Sequence, residues 1–200
     1  MALPVHLRSA FTPAEIEFSA ENILVFIVPS YRMDAISLIT GTYGPFRPPA
    51  RAEVPLWLAL ALKKNQKCTI LPPEWLTVEN LQSKLQEEET GPNFSALPYH
   101  YMEVAHLLLE DALDDIPSAD RVRKLLKDLR ETRQSKAREG LGGLTATYLQ
   151  MDNLSLMEIN EIRPFFIRAF NEMRRLQFDE EPEGEGGGAT MAVGGGRGSS

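Results

Sequence analysis

The hydrophobic pattern of this chain changes period once, within the stretch VPLWLALALKKNQKCTILPPEWL at Val54–Leu76. Upstream, apolar residues come in short runs separated by glycine and proline. Downstream they recur at helical spacing. The stretch opens at Pro55, a residue able to start a helix, and carries an apolar run from Leu56 to Leu62 that Lys63, Lys64 and Lys67 close. Pro72-Pro73 then forbids helix continuation. Both tryptophans, Trp57 and Trp75, lie inside it. It reads as the seam between two small domains.

In the upstream part, Thr12-Pro13-Ala14-Glu15 is a helix start. Thr12 caps, Pro13 stands where no N–H is needed, and Glu15 reaches back to the cap. This helix covers about Pro13 to Ala20. Residues 23–28 are apolar on both faces and predict a buried strand that Pro29 stops. A second, partly alternating strand spans about 35–40. Gly41, Gly44, Pro45, Pro48 and Pro49 mark turns around Phe46. Two strands alone are marginal, so they require further strands or a covering helix, and the helix from Pro55 is the nearest candidate.

Downstream, Thr77 caps a polar helix to about Glu88, and an amphipathic helix follows from about Pro98 to Leu113. Another starts at Pro117-Ser118 and reaches about Arg138, with Val122, Leu125, Leu126 and Leu129 as its apolar stripe. Ser155 and Glu158 form a capping box. The helix they open is expected to pause near Arg163-Pro164 before a final helix to about Leu176.

Composition sets outer bounds. With 200 residues and 43% hydrophobic side chains, the chain can bury a core in one or two domains. No apolar run reaches the roughly 18 residues of a membrane span, and the first residues lack the apolar core of a secretory signal. The single cysteine, Cys68, suits a reducing compartment and reads as a buried structural thiol. The net charge is -7; five acids against Arg197 give residues 179–200 a charge of -4, leaving -3 for residues 1–178. A nearly neutral body does not argue for nucleic acid.

No constellation for catalysis or metal binding emerges. His6, His100 and His106 have no partner at a ligand spacing. The glycine clusters at 140–143 and 186–188 follow no strand and are completed by no phosphate-loop lysine, so they read as linkers. The acidic pairs Glu87-Glu88 and Asp114-Asp115 read as solvated helix ends. One charge pattern stands out: basic residues at 121, 123, 124, 127, 130, 133, 136 and 138 oppose only Asp128 and Glu131 between Arg121 and Arg138. A solvated face, protein salt bridges and phosphate contact remain open for it, with few aromatics interleaved for base stacking. Aromatic side chains are abundant in or beside the helices, and Trp, Tyr and Arg are the residues that anchor interfaces.

Several blocks together resemble one eukaryotic family in order and spacing. They are Glu15-Ile16-Glu17-Phe18, Gly44-Pro45-Phe46, Val54-Pro55-Leu56-Trp57-Leu58-Ala59 and Gln66-Lys67-Cys68 leading to Leu71-Pro72-Pro73-Glu74-Trp75. Tyr99-His100-Tyr101-Met102-Glu103 and Asp152 to Asn160, DNLSLMEIN, complete the set. The chain resembles the Psf-two subunit type of the GINS complex over about residues 12–177. The resemblance implies a nuclear replication factor without catalytic activity or cofactor. Its partners would be three sister subunits, with the Mcm helicase ring and a companion activator in the CMG replicative helicase. Any DNA contact would arise within that assembly. In this subunit type the β-rich domain comes first, in agreement with the order read from periodicity.

The resulting expectation is an α+β chain, mostly α. It has a flexible arm at 1–11, a small β-rich domain at 12–62, a helical domain at 63–178 that packs against sister subunits, and a disordered acidic, Gly-rich tail at 179–200. The interface candidates are Trp57, Trp75, Tyr99, Tyr101, Arg123, Arg130 and Arg133. Such a subunit is expected to be poorly soluble or partly folded alone. The rival reading is an autonomous nucleic-acid-binding module that uses helix 121–138; an enzyme has no constellation behind it.

Overall fold

A computed structural model describes residues 11–140 and 152–179. Of the expected arm at 1–11 only Phe11 is described, of the tail at 179–200 only Asp179, and the glycine-rich loop after Gly140 lies outside the described residues. The first helix, α1 (Pro13–Ala20), starts on the predicted capping box, with both reciprocal bonds between Thr12 and Glu15 in place. It leads into β1 (Leu24–Pro29). The hairpin β2 (Ile36–Leu38) and β3 (Gly41–Tyr43) follows, then β4 (Ala52–Pro55) and α2 (Leu56–Lys64). After β5 (Cys68–Leu71) come α3 (Val78–Thr90), α4 (Tyr101–Asp111), α5 (Ala119–Gly140) and α6 (Leu156–Asp179).

The main sheet is antiparallel in the order β4-β1-β5, with Val25 opposite Val54 and Ile27 opposite Ile70. All four of these side chains are buried in one hydrophobic cluster with Leu56, Ala59 and Leu60 of α2. The expectation that β1 is buried on both faces is therefore corrected. Leu24 and Phe26 are about half exposed because α2 covers only one side of the sheet. The third strand, β5, lies past the boundary drawn after Leu62, and its pairing with β1 carries the sheet on to Leu71. Four residues, CTIL, gave too short a pattern to separate from the preceding helix.

The two regions share one core. The same cluster runs from Ala20 through the sheet and α2 to Leu76, Leu81, Tyr101, Leu108, Val122 and Leu129. Charge reinforces the seam. The Lys63 ammonium lies 2.8 Å from Asp115 and 3.1 Å from Asp114, and Lys64 pairs with Asp111 at 2.9 Å. The second Asp115 oxygen accepts the Ile70 backbone N–H at 2.7 Å. This N–H points away from β1, so the carboxylate occupies a site on an edge strand that another chain would otherwise pair with. Reading Asp114-Asp115 as solvated was wrong for Asp115, whose side chain is 7% exposed.

α6 also departs from expectation: it runs unbroken through Pro164. The proline ring deprives the Asn160 carbonyl of its helical donor, but Pro164 is exposed and that carbonyl, one turn earlier on the same side, can be solvated. Burial of Phe166 holds the next turn in place. At the other end, the Asn160 side chain exchanges two hydrogen bonds of 2.8 Å with the backbone of Phe11, fixing where the chain enters α1. None of the described helices is long and apolar enough to cross a membrane.

Asp115→Ala should cost about 1–3 kcal/mol, because it leaves the Ile70 N–H without its acceptor and the Lys63 ammonium with Asp114 alone. Thermal unfolding should show the loss, and amide exchange at Ile70 should accelerate selectively. Asp115→Asn, which keeps an acceptor for that N–H, should recover part of it.

Candidate interaction site: a buried charged hub and the face around it

Arg133 lies on the apolar side of α5, one helical turn beyond Leu129, and its side chain is 1% exposed. Every donor of its guanidinium fork is used. Nε donates to Glu158 Oε1 at 2.7 Å and Nη2 to Glu158 Oε2 at 3.0 Å, a two-point pairing. Nη1 donates to Glu88 Oε2 at 3.0 Å and to the Ser95 carbonyl at 3.1 Å, and Nη2 also reaches the Asn153 carbonyl at 2.6 Å. The Phe94 ring lies 5.0 Å from the guanidinium carbon.

Local sequence presents each partner. Glu158 is the third residue of α6, held by the predicted capping box: the Ser155 N–H donates to its carboxylate at 2.8 Å, and its own N–H donates to Ser155 Oγ. Asn153 adopts a left-handed conformation (φ 62°), which asparagine tolerates, and its amide donates to the Phe94 carbonyl. Glu88 sits in the last turn of α3, an unfavourable end for an acid. Lys136 offsets this, lying 2.8 Å from Glu88 Oε1 and donating to the Gly91 and Asn93 carbonyls that follow α3. Ser95 adds two bonds to Glu88, and the Tyr101 hydroxyl donates to Glu158 at 3.0 Å. The hub thus joins α3, α4, α5, α6 and the loop after α3.

Burial raises both carboxyl groups, but their partners win. The bonds from Lys136 and Ser95 and the Arg133 charge hold Glu88 below the usual carboxylate range. The Arg133 bond and charge do the same for Glu158. Burial pushes the Tyr101 hydroxyl well up, with the Glu158 charge adding to it. Glu103 on α4 behaves oppositely: burial, with the charges of Glu158 and Glu17, pushes it up. Its side chain is 1% exposed, and hydrogen bonds from the backbone of Glu103 and Met157 offset only part of that rise. His100, 3.9 Å away, is itself pushed down by burial.

Two interface candidates are corrected by this geometry. Arg133 and Tyr101 are interior residues of this chain, with their polar groups consumed by the hub, so they cannot anchor a partner directly. Trp75 packs edge-on to Tyr101 and, like Trp57, is partly buried against the core. Tyr99 is 51% exposed. Arg123 and Arg130 lie on the outer side of α5, near Asp120 and paired with Glu161 respectively. Five of the eight basic residues between Arg121 and Arg138 take part in ion pairs within the chain: Arg123, Lys127, Arg130, Arg133 and Lys136.

Sequence reasoning missed the hub itself. Glu88, read as solvated, is buried and continues the row of Leu81 and Leu85 on α3. Arg133 likewise continues the row of Val122, Leu125 and Leu129. A charge placed in register on an apolar stripe was the available signal. Cys68 behaves as read: it is buried, donates to the Ala59 carbonyl at 3.7 Å, and burial pushes its thiol up to about 11. Among the described residues no group of His, Cys, Asp and Glu could hold a metal ion.

Removing one partner strands the others in the interior. Arg133→Met should therefore cost about 3–5 kcal/mol in chemical denaturation. Arg133→Lys should recover little of this, because an ammonium cannot fork between two carboxylates. The depressed carboxyls set a pH window. The stability from Glu88 and Glu158 is complete above their unfolded pKa and is lost as pH falls through the folded values. Stability measured from pH 6 down to pH 3 should fall steeply in the native protein and less steeply in the Glu88→Gln, Glu158→Gln double variant.

The comparisons with known proteins follow the same division. A model of the PSF2 N-terminal domain matches residues 12–71, and a model of the GINS complex protein helical bundle domain matches residues 75–177. The DNA replication complex GINS protein psf2 of Schizosaccharomyces pombe is 46% identical over 176 residues, covering 88% of this chain and 96% of that protein. The Homo sapiens DNA replication complex GINS protein PSF2 is 44% identical over 173 residues, covering 84% of this chain and 94% of its own. A probable DNA replication complex GINS protein PSF2 of Drosophila melanogaster is 37% identical over 169 residues, covering 82% and 83%. With both models matched in order and relatives aligned over more than four-fifths of its length, the chain belongs to the PSF2 family of GINS proteins.

Proposed function

We propose that this chain is a non-catalytic structural subunit of a heterotetrameric GINS complex, acting in the nucleus within the CMG replicative helicase. The observation that carries this reading is the match of both family models, in order, across residues 12–177. The hub is consistent with it. Arg133, Glu88 and Glu158 are spent on one another, a use of charge that fixes helices rather than reacting with a substrate. We divide the chain after Leu71, which keeps the three-stranded sheet whole, and assign the helical part to contacts with the three sister subunits. The Mcm ring and its companion activator would bind the assembled tetramer. Trp57, Trp75, Tyr99, Arg123 and Arg130 remain the interface candidates.

The nucleic-acid reading of helix 121–138 loses ground because Arg133 and Lys136 are spent inside the chain and Arg130 is paired with Glu161.

Co-expression with and without the three sister subunits, followed by light-scattering mass, tests the proposal. The expected result is a 1:1:1:1 particle, with this chain aggregating when made alone. A well-behaved monomer that ignores the other three would sink it.

A further inference from the structure

Thr12-Pro13 is the one place in the sequence where a serine or threonine directly precedes proline. The structure presents it openly. Thr12 is exposed, its backbone is extended (φ -72°, ψ 151°), and the helix that follows buries only Ile16 and Ala20. Proline-directed protein kinases take substrates of this form, an extended serine or threonine followed by a residue with no backbone N–H. The Thr12 hydroxyl is engaged only by Glu15. It donates to Glu15 Oε2 at 2.9 Å and accepts the Glu15 N–H at 3.3 Å. The Thr12 N–H donates to the same carboxylate at 2.7 Å, and these bonds hold Glu15 below the usual carboxylate range. All three bonds are exposed, so breaking them opens no core.

Arg163 supplies a second, independent observation. The Asn160 side chain is bonded to the Phe11 backbone, which sets that side of α6 beside Thr12. Arg163 lies one turn beyond Asn160 on the same side, and long side chains on a helix lean toward its N-terminus, here toward Asn160. It is exposed and makes no ion pair or hydrogen bond among the described residues. The acid nearest to it along α6, Glu161, is engaged by Arg130 and Gln134. A cation with no anion therefore stands next to the only Thr-Pro step.

We propose that Thr12 is the target of a proline-directed protein kinase, and that its phosphate leaves Glu15 and pairs with Arg163, fastening α1 to α6. In the transfer the Thr12 hydroxyl oxygen bonds the γ-phosphorus of MgATP. The bond from that phosphorus to the β,γ-bridging oxygen breaks, ADP leaves, and the hydroxyl proton passes to a base of the kinase. The product carries a charge of about -1.5 to -2 and three acceptor oxygens. It has no hydroxyl hydrogen left to give Glu15, and it repels that carboxylate. A guanidinium offers a phosphate two parallel N–H bonds, and the Phe11–Asn160 bonds keep the two groups close. The inference stands apart from the assembly reading above, since it uses only residues of this chain.

The test takes the full chain, in whatever assembly it enters, and treats it with MgATP and a cyclin-dependent kinase or, separately, a mitogen-activated kinase. Both are proline-directed. Peptide mass mapping should place a phosphoryl group on Thr12. Pro13→Ala should lose most of that incorporation. Thr12→Asn, which keeps a capping oxygen and so keeps the helix start, should lose all of it. Phosphorus-31 titration should then show the second pKa of the phosphothreonine below its ordinary value of about 6, because a guanidinium favours the dianion. Arg163→Gln, an exposed substitution that leaves circular dichroism unchanged, should return it to that value. No phosphate on Thr12 with either kinase would overturn the proposal. So would a phosphate whose titration is the same with and without Arg163.

Discussion

The helical part of this protein depends on one guanidinium. Arg133 is buried among carboxylates and carbonyls that come from separate places in the sequence, and Glu88, Ser95 and Glu158 are buried with it. In a low-dielectric interior such a pair is not stabilising by virtue of its charge alone, because desolvation offsets most of the Coulomb gain. What it supplies is specificity. Two carboxylates from α3 and α6 must meet one planar fork on α5, and few other packings of these helices would satisfy every donor. Lys136 and Phe94 extend the arrangement toward the C-terminal end of α3.

The sheet and the helices are bound differently. They share a continuous apolar core, and α2 lies at its centre. The polar link is the Lys63–Asp115 pair, whose aspartate also caps the outward N–H of β5. One carboxylate thus ties the seam and closes a strand edge. The opposite side of the sheet is left apolar and open at Leu24 and Phe26.

The contrast between Glu88 and Glu103 shows how position decides the behaviour of one residue type. Both are buried on helices. Glu88 faces Arg133, Lys136 and Ser95 and is held ionised. Glu103 lies near the charges of Glu158 and Glu17, and burial drives it toward the neutral form. The first is met by cations, whereas the second has only backbone donors against two neighbouring acids.

Local rules were enough for much of the architecture. Thr12 with Glu15, Thr77, and Ser155 with Glu158 each placed a helix start within a residue or so, because capping is satisfied by neighbours in sequence. The motif blocks gave the family, since specific residue order is itself sequence information. The tertiary structure alone decided the rest. β4 and β5 exist because β1 offers them partners, and four-residue strands carry too little pattern of their own. Pro164 stays helical because packing beyond it outweighs its local preference. Arg133, Tyr101 and Glu88 turned inward because their partners lie 25 to 57 residues away in the chain, a distance across which periodicity carries no information.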